Sequence, residues 1–124
     1  MTKEFNNLQE IEKYYDEKIN TYVFKEDDRY INLVIFNFNL DVNSNIEAYD
    51  INANNIDVYD IKASNINALN IDSDNICARN INADNISYYA ICFAYENIKC
   101  KSIKGRRKNH KHFVLDGVLE VEDK

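Results

Sequence analysis

Isoleucine recurs every five residues through the middle of the chain, at Ile46, Ile51, Ile56, Ile61, Ile66, Ile71, Ile76, Ile81, Ile86 and Ile91. Two residues after them stand Ala48, Ala53, Val58, Ala63, Ala68, Ser73, Ala78, Ala83, Tyr88 and Phe93. The residue before each isoleucine is Asn or Asp, except for Ala90 before the last. Such a repeat fixes the architecture before any local propensity does. On an α-helix a step of five turns ~500° and spreads the isoleucines over every face. On a straight strand alternate isoleucines point to opposite faces. All of them reach one interior only if the chain bends once per unit. Isoleucine and the small residue then form the inward pair of a short extended segment. The Asn or Asp sits at the corner, where its side chain satisfies turn backbone groups.

The unit Ile-x-Ala-x-(Asn/Asp) over about residues 44–95 resembles the repeat of the pentapeptide-repeat family. That resemblance implies a right-handed quadrilateral β-helix, with four five-residue sides and about twenty residues per coil. In that family the unit runs small residue, Asp or Asn, large apolar residue, then two variable positions. Placing Ile at the large central position would turn Asp74, Arg79 and Asp84 inward. Burying each of them unpaired costs several kcal/mol. Placing Ile first and Ala at the centre keeps every inward residue from Ile46 to Ile86 apolar or small, and is preferred. A twenty-residue coil would stack Tyr49, Leu69 and Tyr89 as an outward column, set Tyr59 beside Arg79, and align Asn52 with Asp72 and Cys92, and Ser64 with Asp84.

The chain of 124 residues reads as one domain in three parts. Residues 1–43 form an N-terminal cap: an amphipathic α-helix over 7–20, with Asn7 and Glu10 as a capping box, and a β segment over 30–40. Residues 44–104 form the solenoid, with the spacing broken after Ile91. Residues 105–124 form a basic loop and a C-terminal β-hairpin turning at Asp116-Gly117. Tyr88, Tyr89, Phe93 and Tyr95 are expected to plug the mouth of the core. The expected fold class is therefore mainly β, a short capped β-helix.

No Gly-rich phosphate loop and no nucleophile elbow is present, so no enzymatic activity and no cofactor is expected. Cys77, Cys92 and Cys100 lack metal-ligand spacing, and their odd number fits reduced thiols. His110 and His112 lie in the basic loop, too few for a metal site. No stretch approaches the ~18 apolar residues of a membrane span, and the first residues lack a signal core. A cytoplasmic location in a bacterial or phage-infected cell is expected, in keeping with the richness in Asn, Ile, Lys and Tyr of an AT-rich genome.

Charge is unevenly placed. The chain carries a net -6, with an acidic middle followed by Lys99, Lys101, Lys104, Arg106, Arg107, Lys108 and Lys111. Some pentapeptide-repeat proteins mimic duplex DNA and bind DNA gyrase. The resemblance therefore implies an inhibitor of a nucleic-acid-handling enzyme, such as a phage anti-CRISPR protein. Its acidic surface would comprise Glu47, Asp50, Asp57, Asp60, Asp72, Asp74 and Asp84, with Tyr49 and Tyr59 beside it. The alternative is an assembly module that self-associates through the solenoid ends and the hairpin, giving a homodimer. Direct nucleic-acid binding by the basic segment ranks last, because the interleaved aromatics of a base-stacking surface are missing.

Overall fold

The computed structural model describes residues 2–24, 33–48 and 50–121. The chain is mainly β and winds into a β-solenoid of about five turns, with very little helix. Its strands are β1 (Thr2–Phe5), β2 (Tyr15–Asp16), β3 (Thr21–Phe24), β4 (Leu33–Phe36), β5 (Leu40–Asp41), β6 (Asn45–Ala48), β7 (Asp50–Asp57), β8 (Asp60–Lys62), β9 (Asn65–Cys100), β10 (Ser102–Gly105), β11 (Lys111–Val114) and β12 (Val118–Val121). Among the described residues no helix is long and apolar enough to cross a membrane.

The phase of the repeat is the preferred one. Ile46 and each repeat isoleucine through Ile86 are at most 2% exposed, while Arg79 is exposed and Asp74 and Asp84 lie half-buried. Burying one isoleucine contributes ~1.5–3 kcal/mol, so this column supplies most of the driving force.

The coil length differs from the expected one. Ile51 pairs in parallel with Ile66, Ile56 with Ile71, and Ile61 with Ile76. The repeat distance is thus fifteen residues, and each coil has three sides rather than four. The five-residue period sets the length of a side but leaves the corner angle free. A triangle encloses less interior per side than a square, and one isoleucine and one small residue per side fill it at close packing. The expected columns at twenty residues are replaced accordingly. Asp57 stacks on Asp72 and Asn52 on Asn67. At the corners Asp74 donates its backbone N–H to Tyr59 and Arg79 donates to Ser64. Tyr59 therefore neighbours Asp74, and not Arg79.

The first side stacks β1, β4, residues 50–53, 65–68, 80–83, 97–100 and β12; the second stacks β5, residues 55–57, 70–72, 85–88 and β10; the third stacks β3, β6, β8, residues 75–77, 91–94 and β11. Corner amides ladder along the axis. Asn55 donates to Asn39, Asn70 to Asn55, Asn85 to Asn70, and the Ser102 hydroxyl to Asn85, at 2.6–2.9 Å. A second ladder runs from Asn97 through Asn80 and Asn65 to Asp50. This explains the preference for Asn over Asp: only an amide can donate to one coil and accept from the next.

The coils lengthen toward the C-terminus. Ile86 pairs with Ile103, Cys92 with His112, and Ile98 with Leu119, steps of seventeen, twenty and twenty-one residues. An extra residue after Tyr88 shifts the phase, so Cys92 points inward and Ile91 is exposed, contrary to the repeat. Tyr88 does not plug a mouth. It lies fully buried in the second side, with the small Ser73 one coil below and Gly105 one coil above. Gly105 is required there, because a Cβ would collide with the His110 ring. Tyr89 and Tyr95 are exposed and Phe93 is half-buried, all pointing outward.

The flanks depart from expectation in two ways. The N-terminal helix is a 3-10 helix over Leu8–Tyr14, capped by the Asn7 side chain, which accepts from the Glu10 N–H. It ends where Tyr15 turns extended and pairs with Tyr22. The expected β segment is present as β4 and β5; residues 30–32 lie outside the described residues. At the other end no hairpin forms. β11 and β12 both pair in parallel with β9, as two sides of one further coil. Asp116-Gly117 makes a corner, not a reversal. Leu115 and Asp116 donate to the Ala94 and Tyr95 carbonyls below them. A Cβ on Gly117 would collide with the Glu96 carbonyl.

Candidate functional site

The seven acidic candidates are spread round the three-sided rod. Asp57 and Asp72 point outward from the second side, in a column with Asp41. Glu47 faces outward from the third side, in register with Lys62. Asp50 and Asp60 sit at two different corners and accept from Asn65 at 2.7 Å and Asn75 at 3.0 Å. Asp84 lies 4.0 Å from Lys101. Burial first, then the neighbouring Asp72 and Asp41 carboxylates, raises the Asp57 pKa, with Arg106 pulling the other way. The second side therefore carries the one stacked acidic column among these candidates. Tyr59 is exposed at a corner, and Tyr49 lies outside the described residues.

The basic segment is likewise divided. Arg106 folds back over the acidic column: its guanidinium donates to Asp72 and to the Ser87 hydroxyl, both at 2.7 Å, and lies 3.7 Å from Asp74. Lys111 stands over the Phe113 ring. Lys99 faces outward in register with Glu120, and Lys104 faces outward from β10. Arg107 and Lys108 are exposed in the loop between β10 and β11.

Inside that last coil the Tyr88 hydroxyl meets His112 Nδ1 at 2.7 Å. Burial, then the Cys92 thiol, raises the Tyr88 pKa, and burial, then His110, lowers that of His112. Both shifts favour a neutral pair, in which the phenol donates to an unprotonated nitrogen. Burial, then Cys100, pushes the Cys92 thiol up to about 12, so it packs as a small apolar group. No group of His, Cys, Asp and Glu side chains among the described residues is placed to hold a metal ion.

The alternative reading named the solenoid ends as a surface but not the residues that the C-terminal end leaves exposed. At the N-terminal end Phe5, Tyr14, Phe24 and Phe36 close the interior with rings 4.8–5.9 Å apart, and Ile11 is fully buried beneath the 3-10 helix. At the C-terminal end Leu119 and Val121 point inward over Ile98 and Cys100 yet stay 38% and 42% exposed. Val118, Leu115, Tyr95, Ile91 and Tyr89 are exposed on the outside of the last coils. No strand pairs with the outer edges of β10, β11 and β12 among the described residues. No local signal marked this exposure: Val118-Leu119-Glu120-Val121 reads as a strand whether or not another strand lies above it.

Comparison with family models, curated proteins and solved structures finds no significant match for this chain.

Proposed function

We propose that the chain is a non-enzymatic protein-binding module that docks through the open C-terminal end of its solenoid. The observation that carries this reading is the inequality of the ends. One is sealed by an aromatic cluster, while the other leaves inward-pointing Leu119 and Val121 exposed; outer strand edges are unpaired at both ends among the described residues, so the difference lies in the uncovered apolar side chains. Unpaired edges and uncovered inward-facing apolar side chains both favour a partner. An incoming strand would gain main-chain hydrogen bonds and cover the apolar residues at once.

A second reading, inhibition of a nucleic-acid-handling enzyme by mimicry, is favoured by the stacked Asp41, Asp57 and Asp72 of the second side. Neighbouring strands lie ~4.8 Å apart, against ~3.4 Å between phosphates of one DNA strand. Arg106 neutralises part of that column. Charge spacing and sign thus support this reading less than apolar exposure supports the first.

The two readings separate by salt and by mutation. Affinity capture with the tagged chain is run at low and high salt, beside a Leu119→Asp/Val121→Asp variant and an Asp57→Lys/Asp72→Lys variant. Docking through the end predicts partners that survive high salt and are lost from the first variant. Partners released by salt and lost only from the second variant would overturn it in favour of the acidic side.

A further inference from the structure

We infer that the open end is built to take a second copy of this chain, turned over about a two-fold axis that passes through the third side. This rests on the docking reading above and names its occupant. A solenoid ends in a step, because each coil rises one strand spacing, ~4.8 Å, over its three sides. The free edges therefore lie at three heights in chain order: β10 on the second side lowest, β11 on the third side next, and β12 on the first side highest. A two-fold axis through the third side exchanges the first and second sides. It sets the high β12 of each copy against the low β10 of the other, and the middle β11 against its own twin. High plus low equals twice the middle, so all three gaps close together. An axis through either other side leaves the gaps unequal. The turn also makes each pair of meeting edges antiparallel, so their free N–H and C=O groups can bond.

Charge follows the same exchange. The outward residue of β12 is Glu120 and that of β10 is Lys104, both exposed. The two-fold brings Glu120 of each copy to Lys104 of the other. It also brings the loop bearing Arg107 and Lys108, at the corner of the second and third sides, to the corner of the third and first sides, which bears Asp116. Arg106 and Lys101 are already occupied by Asp72, Asp74 and Asp84 of their own copy. The inward Leu119 and Val121 would cover Ile103 of the second copy, itself half-buried at its free edge.

Sedimentation of the full chain at rising concentration tests this, with Lys104→Glu and Glu120→Lys variants run alone and mixed. A dimer is expected for the unaltered chain at tens of micromolar, following the usual range of specific interfaces. Each variant alone places like charges at both contacts, and its dimer should weaken roughly tenfold or more. The equimolar mixture restores opposite charges at both contacts and should dimerise as the unaltered chain does. Circular dichroism checks that both variants stay folded. A dimer indifferent to the two substitutions, or variants that fail to recover on mixing, would overturn this arrangement. A chain that stays monomeric at 200 µM, as roughly a millimolar or weaker constant requires, would overturn the second copy as occupant. Partner capture that still depends on Leu119 and Val121 would then leave the docking reading standing, and capture indifferent to them would remove both.

Discussion

At the N-terminal end Phe24 and Ile11 are fully buried, whereas at the C-terminal end Leu119, in an equivalent inward place, is 38% exposed. The difference lies in the course of the chain beyond the last inward residue. After Phe5 the chain leaves the coil path, forms a short 3-10 helix and lays Ile11 and Tyr14 across the interior before returning as β3. After Val114 it keeps to the path and adds one more strand. A chain that leaves the coil path covers its own interior, and one that keeps to it leaves the inward side chains of its last strand uncovered for whatever strand comes next.

The sharpest way to break this comparison is to remove the core on which both ends depend. Ile66→Asp buries a carboxylate in the middle coil and should unfold the chain, seen as loss of the β signal in circular dichroism. A folded variant would mean that the isoleucine column is not the core. Next, truncation should discriminate the ends. Phe24→Ala leaves a cavity in the aromatic cap and should cost ~3–5 kcal/mol in denaturant unfolding. Leu119→Ala at low protein concentration, where the end is free, should cost less than about 1.5 kcal/mol. Equal costs would show the C-terminal end to be covered by something within the chain.

Smaller effects sharpen the picture. Asn70→Ala removes one amide that donates to Asn55 and accepts from Asn85, and should cost about 1 kcal/mol. Arg106→Gln frees the basic loop from Asp72 and Asp74 and should cost at most about 1 kcal/mol, less at high salt. A loss that salt leaves unchanged would mean that Arg106 acts by packing. The smallest effect is one of pH. The His112 pKa is lower folded than unfolded, so the unfolded chain binds more protons in the window between the two values. Its contribution is fully present above ~6.5 and is lost as pH falls toward the folded value. The midpoint temperature should fall on that account between pH 7.5 and 5.5, and fall less in His112→Gln.

The side-to-core pattern was legible because each side is local: five residues set which of them face inward, and unpaired Asp74, Arg79 and Asp84 ruled out the other phase. The number of sides was not. Three and four sides obey the same period, and the choice rests on how the inward side chains of different sides meet, which no short segment encodes. Asp116-Gly117 misled for a related reason. A turn pair favours a sharp bend, but a hairpin and a solenoid corner both use one, and the parallel edge of residues 94–100 decided between them. Among the candidate residues, the Asp57–Asp72 neighbourhood comes from the fifteen-residue step and could have been found by trying both coil lengths. The exposure of Leu119 could not, because it depends on whether any strand lies above it, and none does among the described residues.

The open end exists only if β12 stacks in parallel on the coil below, so the most direct measurement is a cross-link there. Lys99→Cys with Glu120→Cys, in a Cys77→Ser background, places two thiols in register on the outer face of the first side. Parallel neighbours bring their Cα atoms within disulfide reach, about 4.4–6.8 Å. Mild oxidation should close an intramolecular bridge, read as a mass loss of two hydrogens in the monomer. A hairpin at Asp116-Gly117 would instead bring residue 120 to residue 113. Failure of the 99–120 bridge, with ready closure of a Phe113→Cys/Glu120→Cys pair, would contradict the open end.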